Sequence, residues 1–198
     1  LGNFRGMSIT IPHKIEAMKY VDEIREVDRA IGSINTVVHE GERLIGLGTD
    51  GPGALKALED AGVKLNGKQV LMLGAGGAAR AIAFTLAREA TLSGLTLLDI
   101  NEPLMQGLRA DLTKGTSLAV ASALLDAGSL AEAMARADVI SHCTSVGMHP
   151  KQGVSLIPAD LFRTGQVVFD IVYTPLETKL LADARGCVAD QFDRILPP

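Results

Sequence analysis

A single lysine, Lys14, offers the first candidate for chemistry in this sequence. It ends the segment SITIPHK, directly after a β-branched run at 9–11 that is typical of a strand end. Pro12 suits the first position of a helix because its missing N–H needs no partner there. The pattern therefore predicts Lys14 in a first helical turn, where a cation opposes the helix dipole. Such a lysine is either an ordinary surface residue or one whose charge serves a carboxylate partner or a reaction.

A glycine-rich turn supplies the second candidate site. The segment VLMLGAGGAARA runs from a predicted strand into the pattern G-x-G-x-x-A. Its first glycine would permit a tight turn, its second would let the backbone approach a pyrophosphate, and the free N–H groups of the following helix would hold the phosphates. The pattern predicts a dinucleotide site at Gly74, Ala75, Gly76, Gly77 and Ala78, against the alternative of an ordinary strand-to-helix turn.

Asp99 stands at the end of the next predicted strand. In a dinucleotide fold, an acid there accepts hydrogen bonds from the adenosine ribose, whereas a 2′-phosphate calls for arginine. Glu102 follows, and the next basic residue is Arg109. Because two carboxylates disfavour a phosphate dianion, we predict NAD in preference to NADP. The alternative is that Asp99 only caps the next helix.

The elements that must position these residues fall into two groups. Before residue 63 we expect strands at 7–11, 34–39 and 44–46, helices at 12–21 and 24–31, and a helix that begins at Thr49 or Asp50 and ends at Gly62. After it, the strands QVLML, LTLLD, SLAVA, DVISHC and QVVFDIV alternate with helices. This alternation predicts an α/β fold with a Rossmann-type, doubly wound parallel sheet.

Composition excludes several classes of partner. The 198 residues are 47% hydrophobic, with 19 basic and 23 acidic side chains, two Tyr and no Trp, which disfavours nucleic acid. No segment is typical of a membrane span or signal peptide, so we expect no membrane partner and a cytoplasmic location. Cys143 and Cys187 lack metal-ligand spacing, and His142 and His149 have no further ligands, so we predict no metal site.

The chain resembles the shikimate/quinate dehydrogenase family through six motifs in family order. These are GMSITIPHK, IGSINTVV, GTDGPG, GAGGAAR, CTSVGMHP and FDIVYTPLETKLL. The resemblance implies an N-terminal α/β substrate-binding domain, incomplete here, at 1–50, a connecting helix at 51–62 and a Rossmann domain at 63–186. It also implies a C-terminal segment, 187–198, that returns to the substrate domain.

The resemblance further implies an oxidoreductase of aromatic amino acid biosynthesis, a monomer or homodimer. It would interconvert shikimate and 3-dehydroshikimate, or quinate and 3-dehydroquinate, with NAD as the preferred cofactor and NADP as a possible one. The family's catalytic lysine falls on Lys14 and its paired aspartate on Asp50. Lys14 would be the general base in oxidation and the acid in reduction, with Asp50 holding its ammonium group.

Other site residues also follow from the resemblance. Substrate contacts are expected at Ser8, Thr10, Asn35 and Tyr173, and contacts near the nicotinamide at Thr144, Val146 and Ile171. The alternatives for Thr10, Asn35 and Tyr173 are a strand threonine, a turn asparagine and a half-buried core tyrosine.

The sequence departs from the family pattern in several places. Ser8, Gly48 and His142 stand where asparagine is common in the family. The family's serine-rich motif before residue 1 and its G-M-L-V-x-Q stretch after residue 187 are missing, and we expect that residues are omitted at the start and around 188–190.

Two further functions remain open. The chain could be a noncatalytic NAD-binding sensor, or the dehydrogenase half of a fused dehydroquinate dehydratase protein, whose branch GMSITIPHK also resembles. The presence of both Lys14 and Asp50 favours an enzyme over a sensor, because a sensor needs no proton-transfer pair.

Overall fold

The computed structural model describes residues 4–187 and 195–196, which fold around two β-sheets. The smaller sheet contains β1 (Gly6–Ser8), β2 (Glu23–Ile24), β3 (Thr36–Glu40) and β4 (Arg43–Leu47), and helix α1 (Glu26–Ile31) lies between β2 and β3 in the chain. The larger sheet contains β5 (Gln69–Leu73), β6 (Gly94–Asp99), β7 (Val120–Leu124), β8 (Val139–His142), β9 (Val167–Asp170) and β10 (Ile195–Leu196). The remaining helices are α2 (Asp50–Asp60), α3 (Gly77–Glu89), α4 (Glu102–Gly115), α5 (Ala127–Arg136) and α6 (Lys179–Cys187). Two 3₁₀ helices span Glu16–Tyr20 and Ala159–Leu161.

The smaller sheet has the order β1-β3-β4-β2. Strands β1 and β4 both run antiparallel to β3, and β2 runs parallel to β4. The β3–β4 hairpin matches the predicted one, and Gly41 at φ 62° lies in its turn, where a left-handed backbone favours glycine.

The predicted helix at 12–21 is wrong. Residues 11–15 form turns, with the His13 N–H donating to the Thr10 carbonyl at 2.8 Å, and only a 3₁₀ helix follows at Glu16–Tyr20. Lys14 therefore lies in a turn and not in the first turn of the predicted helix. Its backbone carbonyl instead accepts the Ile34 N–H at 2.9 Å, which ties this turn to the segment before β3.

The larger sheet is parallel, in the order β10-β9-β8-β5-β6-β7. Since β5 to β10 are consecutive in the chain, this is the doubly wound order, and it confirms the predicted fold class. The direction of winding reverses between β5 and β8, so a crevice opens at the carboxyl ends of these two strands. Residues 195–196 pair with β9, which differs from the predicted return of 187–198 to the substrate domain; 188–194 and 197–198 lie outside the described residues.

One apolar core joins helices α1 and α2 to α3 and the larger sheet. Ile31 at the end of α1 and Leu58 of α2 are buried in the same cluster as Met72 of β5 and Phe84 of α3. Arg80 of α3 adds a polar connection, because its Nε donates to the Ile31 carbonyl at 2.7 Å. Helix α1, which lies between β2 and β3 in the chain, is thus held against α3, the helix that begins at the glycine-rich turn.

Among the helices of residues 4–187, none has the length and hydrophobicity that a membrane span needs.

Gly51, at the start of α2, allows α2 and α3 to pack closely. A Cβ at this position would lie 2.5 Å from the Ala81 carbonyl of α3, whereas a Cβ at Gly53, on the same helix, would meet open space. The backbone of α3 cannot yield as a flexible side chain could, so any larger residue at position 51 must force the two helices apart.

We therefore expect Gly51→Ala to lower the free energy of unfolding by about 1–3 kcal/mol, through overpacking. Gly53→Ala is the matched control and should leave stability unchanged or raise it by up to about 1 kcal/mol, through helix propensity. Urea unfolding followed by circular dichroism measures both variants. Equal stabilities of the two variants would contradict the close-packing assignment.

Candidate active site

Lys14 and Asp50 meet at the junction of the two sheets, 36 positions apart in the chain. The Lys14 Nζ donates to Asp50 Oδ2 at 2.5 Å, and the two side chains are 14% and 22% exposed. Asp50 is the first residue of α2, and the turn before Glu16 carries Lys14. A partly exposed ammonium–carboxylate pair of this kind leaves N–H groups free to reach a ligand.

Asn35 braces the acid from its other side. Its Nδ2 donates to Asp50 Oδ1 at 2.7 Å and to Thr49 Oγ1 at 2.9 Å, while its Oδ1 accepts the Thr49 N–H at 2.8 Å. An amide nitrogen has two hydrogens, and both are used here. Asn35 thus orients Asp50, and its direct contact with a substrate stays a prediction.

Gly77 brings the lysine close to the start of α3. A Cβ at Gly77 would lie 2.8 Å from the Lys14 Cβ, and the Gly77 carbonyl accepts the Ser33 hydroxyl at 2.9 Å. The glycine pattern predicts a cofactor contact for Gly77. The missing side chain of Gly77 also makes room for Lys14, a long-range contact that no local pattern reveals.

The glycine-rich turn has the features expected of a phosphate cradle. Gly74 adopts φ 104°, and a Cβ there would lie 2.7 Å from the Cys143 carbonyl, so the turn packs directly on the end of β8. Around Gly76, the N-cap of α3, a Cβ would meet open space, and no side chain in the described part of the protein caps this helix. The first N–H groups of α3 are therefore available to an anion, and the turn fits a dinucleotide.

Asp99 lies directly beneath this turn. Its Oδ2 accepts the Ala75 N–H at 2.6 Å and its Oδ1 accepts the Asn101 N–H at 2.7 Å. The alternative that Asp99 caps α4 is wrong, because Asn101 is the cap and accepts the Leu104 N–H at 3.1 Å. A carboxylate has about four acceptor sites, so Asp99 keeps the capacity to accept ribose hydroxyls.

Two cavities flank Lys14. One of about 340 Å³ is lined by Asp50 and Thr49, and the other of about 180 Å³ by Thr10 and Thr144. Both cavities share the same four lining residues, which are Lys14, Ala78, Ile171 and Tyr173. The cavities therefore bring Lys14 and Asp50 together with two of the predicted substrate residues and three of the predicted cofactor residues, which are Thr10, Tyr173, Ala78, Thr144 and Ile171.

The remaining predicted residues are placed unevenly. Tyr173 is 68% exposed, so it is not the half-buried core tyrosine of the alternative. Ser8 is exposed on β1, opposite Thr36, and is not among the lining residues of either cavity. Val146 does not line the cavities either; its N–H donates to the Thr144 hydroxyl oxygen at 3.1 Å.

Gly48, where asparagine is common in the family, faces a buried acid. A Cβ at Gly48 would lie 2.8 Å from Asp28 Oδ1, and Asp28 is only 3% exposed. Burial raises the pKa of Asp28, while a backbone hydrogen bond from Gly48 and the charge of Arg25 oppose that shift. The space next to Gly48 is therefore taken by Asp28, a side chain that sequence reasoning did not connect with this site.

Sequence reasoning also missed a buried polar network behind the cavities. His142 Nδ1 lies 2.8 Å from Asp170 Oδ1, and its Nε2 lies 2.6 Å from the Thr144 hydroxyl. His142 and Asp170 are opposite each other in the register of β8 and β9. Two polar residues at the carboxyl ends of neighbouring parallel strands were the available signal.

With this geometry established, comparisons with known proteins identify the family. A family model described as the shikimate dehydrogenase substrate binding domain matches residues 1–37. A shikimate dehydrogenase (NADP(+)) of Moorella thermoacetica is 44% identical over 98% of this chain. The crystal structure of shikimate 5-dehydrogenase from Listeria monocytogenes, in complex with shikimate and NAD, is 30% identical, with a TM-score of 0.84 over 99% of this chain and 68% of that protein. The chain belongs to the shikimate dehydrogenase family.

A quinate dehydrogenase from Corynebacterium glutamicum, in complex with NAD, has a TM-score of 0.80 and 28% identity over 93% of this chain and 65% of that one. The chain spans 66% of the length of the Moorella protein. The structural relatives thus include a shikimate dehydrogenase and a quinate dehydrogenase. The two structures hold NAD, whereas the Moorella enzyme is named for NADP(+).

Cys143, which follows His142 in the chain, carries a buried thiol of low reactivity. Burial raises the pKa of Cys143 to about 12, which outweighs the opposing hydrogen bond from Ser141. Cys187 is exposed at the end of α6. Because the thiolate is the nucleophile, a raised thiol pKa suppresses reaction at neutral pH.

We expect iodoacetamide at pH 8 to label Cys187 rapidly and to spare Cys143 until the protein is unfolded. Mass spectrometry of tryptic peptides measures both sites. In the control variant Cys187→Ser, rapid labelling should disappear. Rapid labelling of Cys143 in the folded protein would contradict its burial.

Proposed function

We propose that this protein is a dehydrogenase that interconverts shikimate and 3-dehydroshikimate, or quinate and 3-dehydroquinate, with NAD as the preferred cofactor. The observation that carries the proposal is the Lys14–Asp50 contact, which lies between the two cavities. Lys14 also lies against Gly77, the first residue of α3. The family relationship supports the substrate class.

The chain's own residues would move the proton. A nicotinamide dinucleotide supplies the hydride acceptor in such an oxidation. The amine form of Lys14 would take the proton of the reacting hydroxyl at Nζ, and in reduction its ammonium form would return that proton to the carbonyl oxygen. Asp50 Oδ2 orients the Nζ, while Asn35 holds Asp50 Oδ1 and so fixes the carboxylate plane.

The glycine-rich turn and the walls of the smaller cavity would bind and orient the cofactor. The N–H groups at the start of α3 would hold the pyrophosphate, and Asp99 would accept the ribose hydroxyls. Thr144 and Ile171, which both line the smaller cavity, would lie near the nicotinamide end. Thr10 and Tyr173 line the same cavity and remain the predicted substrate contacts.

Replacing Lys14 tests the proton transfer. We expect Lys14→Ala to lower kcat by about 10²–10⁴-fold, the range of general acid–base catalysis, with little change in the Kd for the dinucleotide. Formation of NADH from shikimate and from quinate is followed at 340 nm with the intact protein, and dinucleotide binding is measured by calorimetry.

Lys19→Ala is the control, because Lys19 is an exposed lysine paired with Glu16 outside both cavities. It should keep the activity of the unaltered protein. Equal turnover by Lys14→Ala and the unaltered protein would remove Lys14 from the mechanism. Dinucleotide binding without turnover of either acid would favour the noncatalytic sensor.

The preference for NAD rests on the charges around Asp99. No lysine or arginine occurs between residues 94 and 108, and Glu102 adds a second negative charge beyond Asp99. The guanidinium of Arg109 is turned toward the larger sheet, where its Nε donates to the Val120 carbonyl at 3.2 Å. A 2′-phosphate dianion would therefore meet the carboxylates of Asp99 and Glu102, and residues 94–108 would offer it no cation.

We expect kcat/KM for NAD to exceed that for NADP by at least about tenfold, an electrostatic difference of about 1.4 kcal/mol. Asp99→Asn should lower the ratio of kcat/KM for NAD to kcat/KM for NADP, because it removes one negative charge that repels the 2′-phosphate. Asp60→Asn is the control, because Asp60 is an exposed acid at the far end of α2. A preference of the unaltered protein for NADP would overturn the assignment.

A further inference from the structure

The network behind the smaller cavity is fully buried at its centre. His142 is 1% exposed and Asp170 0%. Asp170 Oδ1 accepts the Val172 N–H at 3.0 Å, and its Oδ2 accepts the Thr178 hydroxyl at 2.7 Å. Together with His142 Nδ1, three donors therefore surround this carboxyl group, as a buried carboxylate requires.

The acceptors in this network determine where the protons lie. An ionised carboxylate only accepts hydrogen bonds, so His142 Nδ1 must carry its hydrogen toward Asp170. With its one hydrogen on Nδ1, the neutral form of the ring has an acceptor at Nε2. Its partner at 2.6 Å is the Thr144 hydroxyl, which must donate its single hydrogen to the ring.

Toward the cavity, the Thr144 hydroxyl can then only accept a hydrogen bond. A hydroxyl has one hydrogen and two lone pairs. The hydrogen goes to His142 and one lone pair accepts the Val146 N–H at 3.1 Å, so one lone pair has no partner among the residues that the structure describes. Thr144 lines the smaller cavity beside Lys14, Ala78 and Ile171.

We propose that Asp170 and His142 form a positioning relay that presents the Thr144 hydroxyl as a hydrogen-bond acceptor for the carboxamide N–H of a bound nicotinamide. The inference deepens the proposed function and rests on it. It gives His142 a role that its position in the family pattern does not, since asparagine is common there.

Two substitutions test the relay from its opposite ends. Thr144→Val removes the hydroxyl and keeps the shape of the side chain. Asp170→Leu removes the acceptor of the Nδ1 hydrogen, so the ring hydrogen should move to Nε2, where the Thr144 hydroxyl can accept it. That hydrogen would then occupy the free lone pair of Thr144, so both variants should lose the same acceptor. His149→Gln is the control, because His149 is exposed and its side chain has no hydrogen bond in the described structure.

The binding probe is chosen to report the carboxamide alone. NAD carries the amide N–H, whereas 3-acetylpyridine adenine dinucleotide carries a methyl ketone in its place. We expect Thr144→Val and Asp170→Leu each to weaken NAD binding about two- to tenfold, the loss of one hydrogen bond, and to leave binding of the acetylpyridine analogue within about twofold. Isothermal titration calorimetry measures both ligands, and circular dichroism checks that each variant is folded.

The ring hydrogen itself is read by nitrogen NMR without any ligand. In the unaltered protein the His142 ring should be protonated at Nδ1 and not at Nε2, and Asp170→Leu should reverse this pattern while His149→Gln leaves it unchanged. Should Asp170→Leu fail to fold, Thr144→Val and the spectrum of the unaltered protein carry the test.

The outcomes separate the two proposals. If the unaltered protein binds NAD, and Thr144→Val binds NAD and the acetylpyridine analogue as tightly as the unaltered protein does, the relay is overturned and the proposed function stands. A ring protonated at Nε2 in the unaltered protein likewise overturns the relay alone. If the unaltered protein binds neither NAD nor NADP, the proposed function fails, and the relay fails with it.

Discussion

The contact between the Lys14 ammonium and the Asp50 carboxylate is the constraint on which the site depends. The two residues belong to different parts of the chain, and their meeting requires close backbone approach on two sides. Gly77 leaves room for the Lys14 side chain, and Gly51 lets α2, which begins with Asp50, settle onto α3. Since packed interiors have few voids, the missing side chains of these glycines set the position of the charged pair.

The larger sheet places the other half of the site at one edge. The glycine turn follows β5, Thr144 follows β8 and Ile171 follows β9, so the carboxyl ends of three parallel strands point to the same crevice. The polar groups there differ in their use. Asp170 is a buried acid satisfied by three donors, Cys143 is a thiol held protonated by burial, and only Lys14 and Asp50 combine charge with access to the cavities.

Much of the chain from Asp50 onward could be predicted, because the signals that define its helices and strands are local. The strand at 69–73 and the helix from Asp50 carry their own hydrophobic periodicity, turn glycines and caps, and both were predicted with nearly correct bounds. The prediction of a helix at 12–21 was wrong because Pro12 is equally compatible with a turn, and the hydrogen bond from the Ile34 N–H to the Lys14 carbonyl decides between them. The pairing of β10 with β9 is likewise non-local and had no signal in the sequence.

By itself, the sequence determined which chemical groups are available: an isolated lysine, a glycine turn after a buried strand, an acid at the end of the next strand, and the order of family motifs. Only the tertiary structure decided how these groups face one another. It turned both hydrogens of the Asn35 amide toward protein acceptors, filled the space beside Gly48 with Asp28, and joined His142 to Asp170. Hydrogen bonds depend on distances of a few tenths of an ångström between residues far apart in the chain, and local sequence patterns carry no information at that range.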